Sequence, residues 1–308
     1  MRPRLVAVAL VLLLAAGLAG CGLGAGERGV EARVLVTRDF GGDELGGRIV
    51  GDLPESETVM RLLQRSFDVE TRFGGGFVQS IEGVAGGRED GRAVDWFFYV
   101  NGMWSDEGAA EVELHDGDRI WWDRHDWTAA PELGAVVGSY PEPFLHGLEG
   151  RRYPVVLECY DDVEAACDAA AARLDAAGAP PARQAPGTGT GAETLRLVVG
   201  LWPQLRGDPA LAQLDDGPAA SGVFARFGED GATLALLDAR GEEVRTLGEG
   251  TGLVAATRLE RQAPTWMVTG TDAAGVLAAA RALDERRLSR RFALAVGPAG
   301  DLGLPLEG

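Results

Sequence analysis

Apolar residues recur at two periods along the chain, and each period marks out elements. Glu31 to Thr37 alternates polar and apolar in the manner of a half-buried strand, and a second strand is expected near Arg48 to Val50. In ESETVMRLLQRSFDVE the apolar positions Val59, Leu62, Leu63 and Phe67 follow the i, i+3, i+4, i+8 spacing of an amphipathic helix, with Pro54 and Ser56 as start signals. Phe73 to Val84 passes through a triple glycine into the run FVQSIEGV, which predicts further strand. Val94 to Val100 is β-branched and aromatic, and Asn101-Gly102 directly after it supplies the two positive-φ positions of a type I′ turn, so the chain should reverse there into a hairpin. Asp116-Gly117-Asp118 marks a second turn, which launches a strand from Arg119 to Arg124.

Five of the seven tryptophans fall between Trp96 and Trp127, a density that implies either a small domain's core or the floor of a binding site. The two-residue period of a pleated strand separates Trp96, Phe98 and Val100 from Phe97 and Tyr99, and Ile120 and Trp122 from Trp121 and Asp123. Rings therefore occur on both faces, more than a one-sided sheet requires. At least one of the Trp121-Trp122 pair is expected near the surface.

The combination of the TVMRLL helix, GGFVQSIEGV, WFFYVNG and LHDGDRIWW resembles the transcobalamin-like C-terminal domain family, over roughly Glu31 to Trp127. The resemblance implies a β-grasp fold, a twisted sheet closing over one helix, related to the smaller domain of vertebrate cobalamin carriers, where it caps one face of the bound corrinoid. The matching positions are Trp96, Tyr99, Asn101, Gly102, Gly117, Asp118 and Ile120, most of them turn and core positions. The larger helical-barrel domain of those carriers has no counterpart visible in this sequence.

After Trp127 the composition changes. Residues 129–150 hold Pro131, Pro141 and Pro143 among glycines and read as a connector, with a second domain over 151–308. That domain reads as strand Tyr153 to Tyr160, helix Asp161 to Ala177, a Pro/Gly/Thr-rich loop from Gly178 to Gly191, and strand Thr194 to Leu201. A short helix near Ala210 to Leu214 follows, then strands around Gly222 to Phe227, Thr233 to Asp238, Gly252 to Leu259 and Thr265 to Thr269, helix Asp272 to Arg286 and strand Phe292 to Val296. Strands alternating with helices indicate an α/β domain, so the expected class is α+β, a β-grasp domain over 31–128 followed by an α/β domain.

The 308 residues can bury a substantial core. A formal net charge of −18, from 47 acidic and 29 basic residues, argues against nucleic acid as a partner because phosphate would be repelled. At the N-terminus Arg2 and Arg4 precede an apolar run from Leu5 to Ala16, too short to span a bilayer and suited to a signal peptide over 1–20. The run ends in Leu18-Ala19-Gly20-Cys21, which resembles the bacterial lipobox. The resemblance implies cleavage before Cys21, attachment of a diacylglycerol to its thiol, and a lipid-anchored protein on the extracytoplasmic side of the membrane. Residues 21–30 would be the tether; Gly22 to Gly29 spans about 25 Å if extended. Cys159 and Cys167 remain as an even pair outside the cytoplasm, expected as a disulfide between a strand end and a helix start.

Catalytic signatures are thin. No serine or cysteine sits in a GxSxG elbow, no Walker or dinucleotide fingerprint occurs, and the protein reads as a non-enzyme without a resident cofactor. Asp123, His125 and Asp126 form a carboxylate and imidazole cluster, but no metal site is expected, solvated strand-end residues being the commoner case. Two functions remain. In the first, a small molecule, with a corrinoid as one candidate, binds at Tyr99, Trp104, Trp121, Trp127 and His125 and is passed to importer components. In the second, the same aromatics dock an envelope protein or polysaccharide. A third explanation for the rings is that they fill the interface between the two domains.

Overall fold

The computed structural model describes residues 29–260, 262–298 and 300–307; the expected signal peptide, Cys21 and nearly all of the tether lie outside them. Strand β1 (Val30–Arg38) pairs antiparallel with β2 (Asp43–Leu53). Helix α1 (Val59–Ser66) follows, with Val59, Met60, Leu62 and Leu63 buried. Thr58 caps it, its side chain accepting from the Arg61 amide at 3.3 Å, two residues beyond the Ser56 start signal. Strands β3 (Val69–Arg72), β4 (Phe77–Ile81) and β5 (Val84–Ala85) make a small sheet of their own. Strands β6 (Gly87–Glu89), β7 (Arg92–Val100), β8 (Met103–Trp104) and β9 (Arg119–Asp126) join the first hairpin in the order β2-β1-β9-β7-β6, with β8 on β7. The last strand, β9, enters the centre parallel to β1 and antiparallel to β7. A hairpin, a crossing helix and a final strand inserted parallel to the first make this half a β-grasp unit.

The turn after β7 forms as the sequence predicts, with Asn101 at φ 53° and Gly102 at φ 80°. Its asparagine does more than tolerate the conformation. The Asn101 amide donates to Asp118 Oδ1 at 2.8 Å, and its carbonyl oxygen accepts from the Arg119 amide at 2.9 Å, which ties the two turns together.

The C-terminal half begins with β10 (Val155–Cys159), α2 (Glu164–Ala176), β11 (Ala182–Gln184) and β12 (Leu195–Val199). Short helices α3 (Trp202–Leu205), α4 (Pro209–Ala212) and α5 (Pro218–Ser221) lead to β13 (Ala225–Phe227), β14 (Leu234–Leu237) and β15 (Glu243–Leu247), a separate antiparallel sheet. Then come β16 (Gly252–Thr257), β17 (Thr265–Gly270), α6 (Ala273–Arg281), α7 (Glu285–Leu288), β18 (Ala293–Gly297) and β19 (Gly300–Leu304). The main sheet runs β11-β10-β12-β17-β16-β18-β19; the first four strands are mutually parallel and the rest antiparallel. Every residue of β16 and β17 is buried, as expected of strands covered on both faces.

Two departures from the sequence reading have local causes. The helix expected over Asp272 to Arg286 is two helices, because the Asp284 carboxylate accepts from the Arg286 and Arg287 amides and so starts α7 afresh. Strand β15 escapes a hydrophobicity pattern because four of its five residues are exposed. Residues 129–150, read as a connector, carry no helix or named strand and are packed in: Val137, Tyr140 and Phe144 enter one core and Ala130, Leu133 and Val136 another.

The expected disulfide is present, joining Cys159 at the end of β10 to Cys167 in α2 with Cα atoms 5.9 Å apart. A loop this short constrains the unfolded chain by about 2–3 kcal/mol. Replacing both cysteines by serine should therefore lower unfolding stability by about 2 kcal/mol in urea titrations, and reductant should do the same to the parent protein. An unchanged midpoint would show that the cross-link contributes nothing to this half.

Candidate ligand-binding cleft

On one face of β7 and β9, Trp96, Phe98, Ile120 and Trp122 pack with Leu62 and Leu63 of α1 into the β-grasp core. On the other face the rings meet the C-terminal half. Trp121 lies 4.9 Å from Phe292 and Tyr99 5.6 Å from it, centroid to centroid, while Val136 and Phe224 fill the same core. His125 is sandwiched between Phe40 at 4.7 Å and Phe97 at 4.6 Å. The expectation that one of the paired tryptophans stays near the surface is corrected: Trp121 and Trp122 are each 2% exposed, because the sheet is covered on both sides. The expectation that the polar residues beside them are solvated is corrected for the same reason, Asp123 being 0% and His125 2% exposed.

Asp123 is the polar centre of this seam. Its carboxylate accepts from the Phe40 amide at 3.1 Å, the Gly41 amide at 2.8 Å and the Thr37 hydroxyl, and it lies 2.8 Å from His125 Nδ1. Thr37 in turn accepts from the Trp121 indole N–H at 2.7 Å. The turn held by these amides has Asp39, Phe40 and Gly41 all at positive φ, and it is what aims the Phe40 ring at His125. Burial, with the Asp123 charge adding to it, pushes the Tyr99 phenol well above its ordinary range, so the ring is neutral in this seam.

The five aromatic candidates from the sequence thus separate. Tyr99, Trp121 and His125 are brought together but buried. Trp104 is half-buried and borders clefts of about 360 and 160 Å³. Trp127 is also half-buried, its indole N–H donating to Asp95 at 3.0 Å. Besides the cleft at Trp104, which Arg258 also borders, two more lie between the halves. The larger, about 770 Å³, is bounded by Asp39, Phe40, Arg92 and Asp126 on one side and by Asp238 and Arg240 on the other. The smaller, about 290 Å³, has the edge of Trp121 in its wall, with Arg33, Arg48 and Arg119 from the β-grasp unit and Ser139 and Glu285 from beyond it. Among the described residues no group of three or more His, Cys, Asp or Glu side chains could hold a metal ion. The arginines were not picked out in the sequence because they sit on three separate stretches that only the sheet brings side by side.

Residues 56–126, from α1 through β9, match the family model described as "Domain of unknown function (DUF4430)". The matched span lies within the stretch that carries the transcobalamin-like resemblance. No curated protein matches the chain. Among solved structures, a crystal structure of a "putative metal binding protein" from Ruminococcus gnavus ATCC 29149 is 16% identical, with a TM-score of 0.25, covering 32% of this chain and 97% of its own.

Asparagine at position 123 keeps the shape of the carboxylate but has one acceptor oxygen instead of two. Asp123→Asn should therefore leave buried amides facing an NH2 group and cost about 2–3 kcal/mol, read as a lowered denaturant midpoint with altered near-ultraviolet dichroism of the tryptophans. A loss under about 0.5 kcal/mol would contradict the role given to this carboxylate.

Proposed function

We propose that the protein is a non-catalytic lipoprotein, anchored through Cys21 on the extracytoplasmic side of the membrane, that binds a small molecule and presents it to importer components. The observation that carries this reading is the pair of clefts between the two halves, since ligand sites concentrate where two folded units meet. The Cys159–Cys167 disulfide supports export, because such cross-links persist in oxidising compartments. A corrinoid is the ligand implied by the transcobalamin-like resemblance. With Tyr99, Trp121 and His125 covered, its place would be the cleft of about 770 Å³ beside Phe40 rather than the aromatic sheet face.

One feature favours a second reading, an envelope interaction module. Phe73 is 87% and Phe77 39% exposed at the tip of the β3–β4 hairpin, their rings edge to face at 6.2 Å, and paired exposed aromatics are a common anchor for a macromolecular partner.

Metabolic labelling with a clickable fatty acid should mark the protein and place it in the membrane fraction, and Cys21→Ser should abolish both; an unlabelled soluble protein would contradict the anchor. The chain beginning at Gly22 should bind cobinamide or cobalamin saturably in the micromolar range by tryptophan quenching and calorimetry. Absence of binding by both corrinoids would remove that ligand class.

A further inference from the structure

The β3–β4 hairpin ends in two aromatic rings that belong to none of the three cores, Phe73 and Phe77. Phe73 sits at φ 54°, a left-handed conformation that is costly for a bulky residue, and with its ring 87% exposed no packing offsets the cost. Between the rings, a Cβ added at Gly74 or Gly75 would meet nothing within 4 Å, so the tip projects from the body of the protein. From Thr71 to Ile81 the one charged residue is Arg72.

The place of the hairpin in the fold says what its tip meets. Its base is held half-way along β7, where the Trp96 indole N–H donates to the Val84 carbonyl at 3.1 Å. Phe77, nearer the tip, borders a cleft with Trp104 and Ala109, and Trp104 pairs with Tyr99 beside the Asn101 turn. The hairpin therefore points toward the Asn101 end of the sheet. The Ala109 carbonyl there accepts from the Met60 amide at 2.8 Å, at the start of α1. Strand β2, which precedes α1, ends at Leu53, and Leu53 pairs with Val30, the first residue of β1. The tip and the point where the chain leaves toward Cys21 thus lie at the same end of the β-grasp unit. Residues 22–29 reach about 25 Å if extended, so an acylated Cys21 would hold this end close to the bilayer.

We propose that Phe73 and Phe77 insert into the interfacial region of the membrane that carries the anchor, and so fix the orientation of the β-grasp unit on the lipid surface. The proposal rests on the lipid-anchor reading above. Two rings are too little to hold a soluble protein on a bilayer, but on an anchored chain the contact is intramolecular, at an effective concentration on the order of millimolar. A short projecting knob with apolar rings suits the headgroup boundary, which receives it without a complementary groove. Glu107 and Glu111, exposed on the loop that borders the Phe77 cleft, repel anionic headgroups. The attraction is therefore apolar, and contact with an anionic bilayer should strengthen as salt screens that repulsion.

The test tethers the chain beginning at Gly22, through an N-terminal polyhistidine tag, to phosphatidylcholine vesicles containing a nickel-chelating lipid in place of the acyl anchor. With Cys159 and Cys167 joined, Gly76→Cys offers a single free thiol for an environment-sensitive fluorophore. Gly76 lies at φ −81°, and an added Cβ there comes no closer than 3.9 Å to the atoms around it. Tethering should raise the emission by about twofold, with quenching by lipids that carry a doxyl group near the headgroup. The same label at Arg88→Cys, in β6 at the opposite end of the sheet, should not respond. Phe73→Ser, at an exposed position whose loss leaves the core intact, should remove most of the rise. With phosphatidylglycerol added, the rise should be smaller at low salt and recover at high salt. Unchanged emission on tethering would overturn the proposal and leave the rings to a protein partner. An equal rise at Arg88→Cys, or one indifferent to Phe73→Ser, would overturn it as non-specific adsorption, and a rise that salt weakens would overturn its apolar basis. Because the nickel lipid supplies the tether, each of these outcomes is independent of the acylation of Cys21, which the fatty-acid labelling decides separately.

Discussion

A sheet with aromatic rings on both faces has to be covered on both, and the structure follows from that constraint. Trp96, Phe98 and Trp122 leave water under α1, as in any sheet packed on one helix. Phe97, Tyr99, Trp121 and His125 are left on the opposite side, where from the β-grasp unit itself the Phe40 turn packs on His125. The C-terminal half supplies the remaining cover through Phe292 and Phe224, joined by Val136 of the 129–150 segment. Burying a phenylalanine side chain is worth about 2 kcal/mol, so several such contacts make the seam a strong joint. The two halves are consequently parts of one packing problem.

The polar groups inside the seam explain why it has one register. Asp123 is fully buried and would be costly there without partners, yet two amides, a hydroxyl and an imidazole surround it. Each partner comes from a fixed point of β1, β9 or the turn after β1, so a slip of one residue would strand the carboxylate. Backbone proximity adds to this. A side chain at Gly138 would bring its Cβ within 2.5 Å of the Trp121 ring and 3.0 Å of the Arg291 backbone, so the connector can pass between the halves only as glycine.

Much of the β-grasp half was legible in the sequence because its signals are local: the helical period at Val59, Leu62 and Leu63, the Asn101-Gly102 turn, and the dense strand Val94 to Val100. The disulfide was legible from the parity of cysteines and their setting. The excess of rings was also visible, and the interface explanation for them is the one that the packing of Tyr99 and Trp121 against Phe292 realises. The identity of the covering residues was not legible, since Phe40 and Phe292 are joined only by the tertiary fold. The break before α7 depends on a side-chain cap that a run of helix-forming residues conceals. The meeting of Arg33 and Arg119 was hidden for a similar reason: each looks like an ordinary solvated charge in its own strand, and only the parallel register of β1 and β9 sets them side by side.

Because the C-terminal half completes the cover of the β-grasp sheet, the two halves should unfold together. Differential scanning calorimetry of the chain beginning at Gly22 tests it directly. The expected result is one transition whose calorimetric and van't Hoff enthalpies agree, with Phe292→Ala lowering that single transition as a whole. Two resolved transitions, only one of them moved by Phe292→Ala, would contradict it.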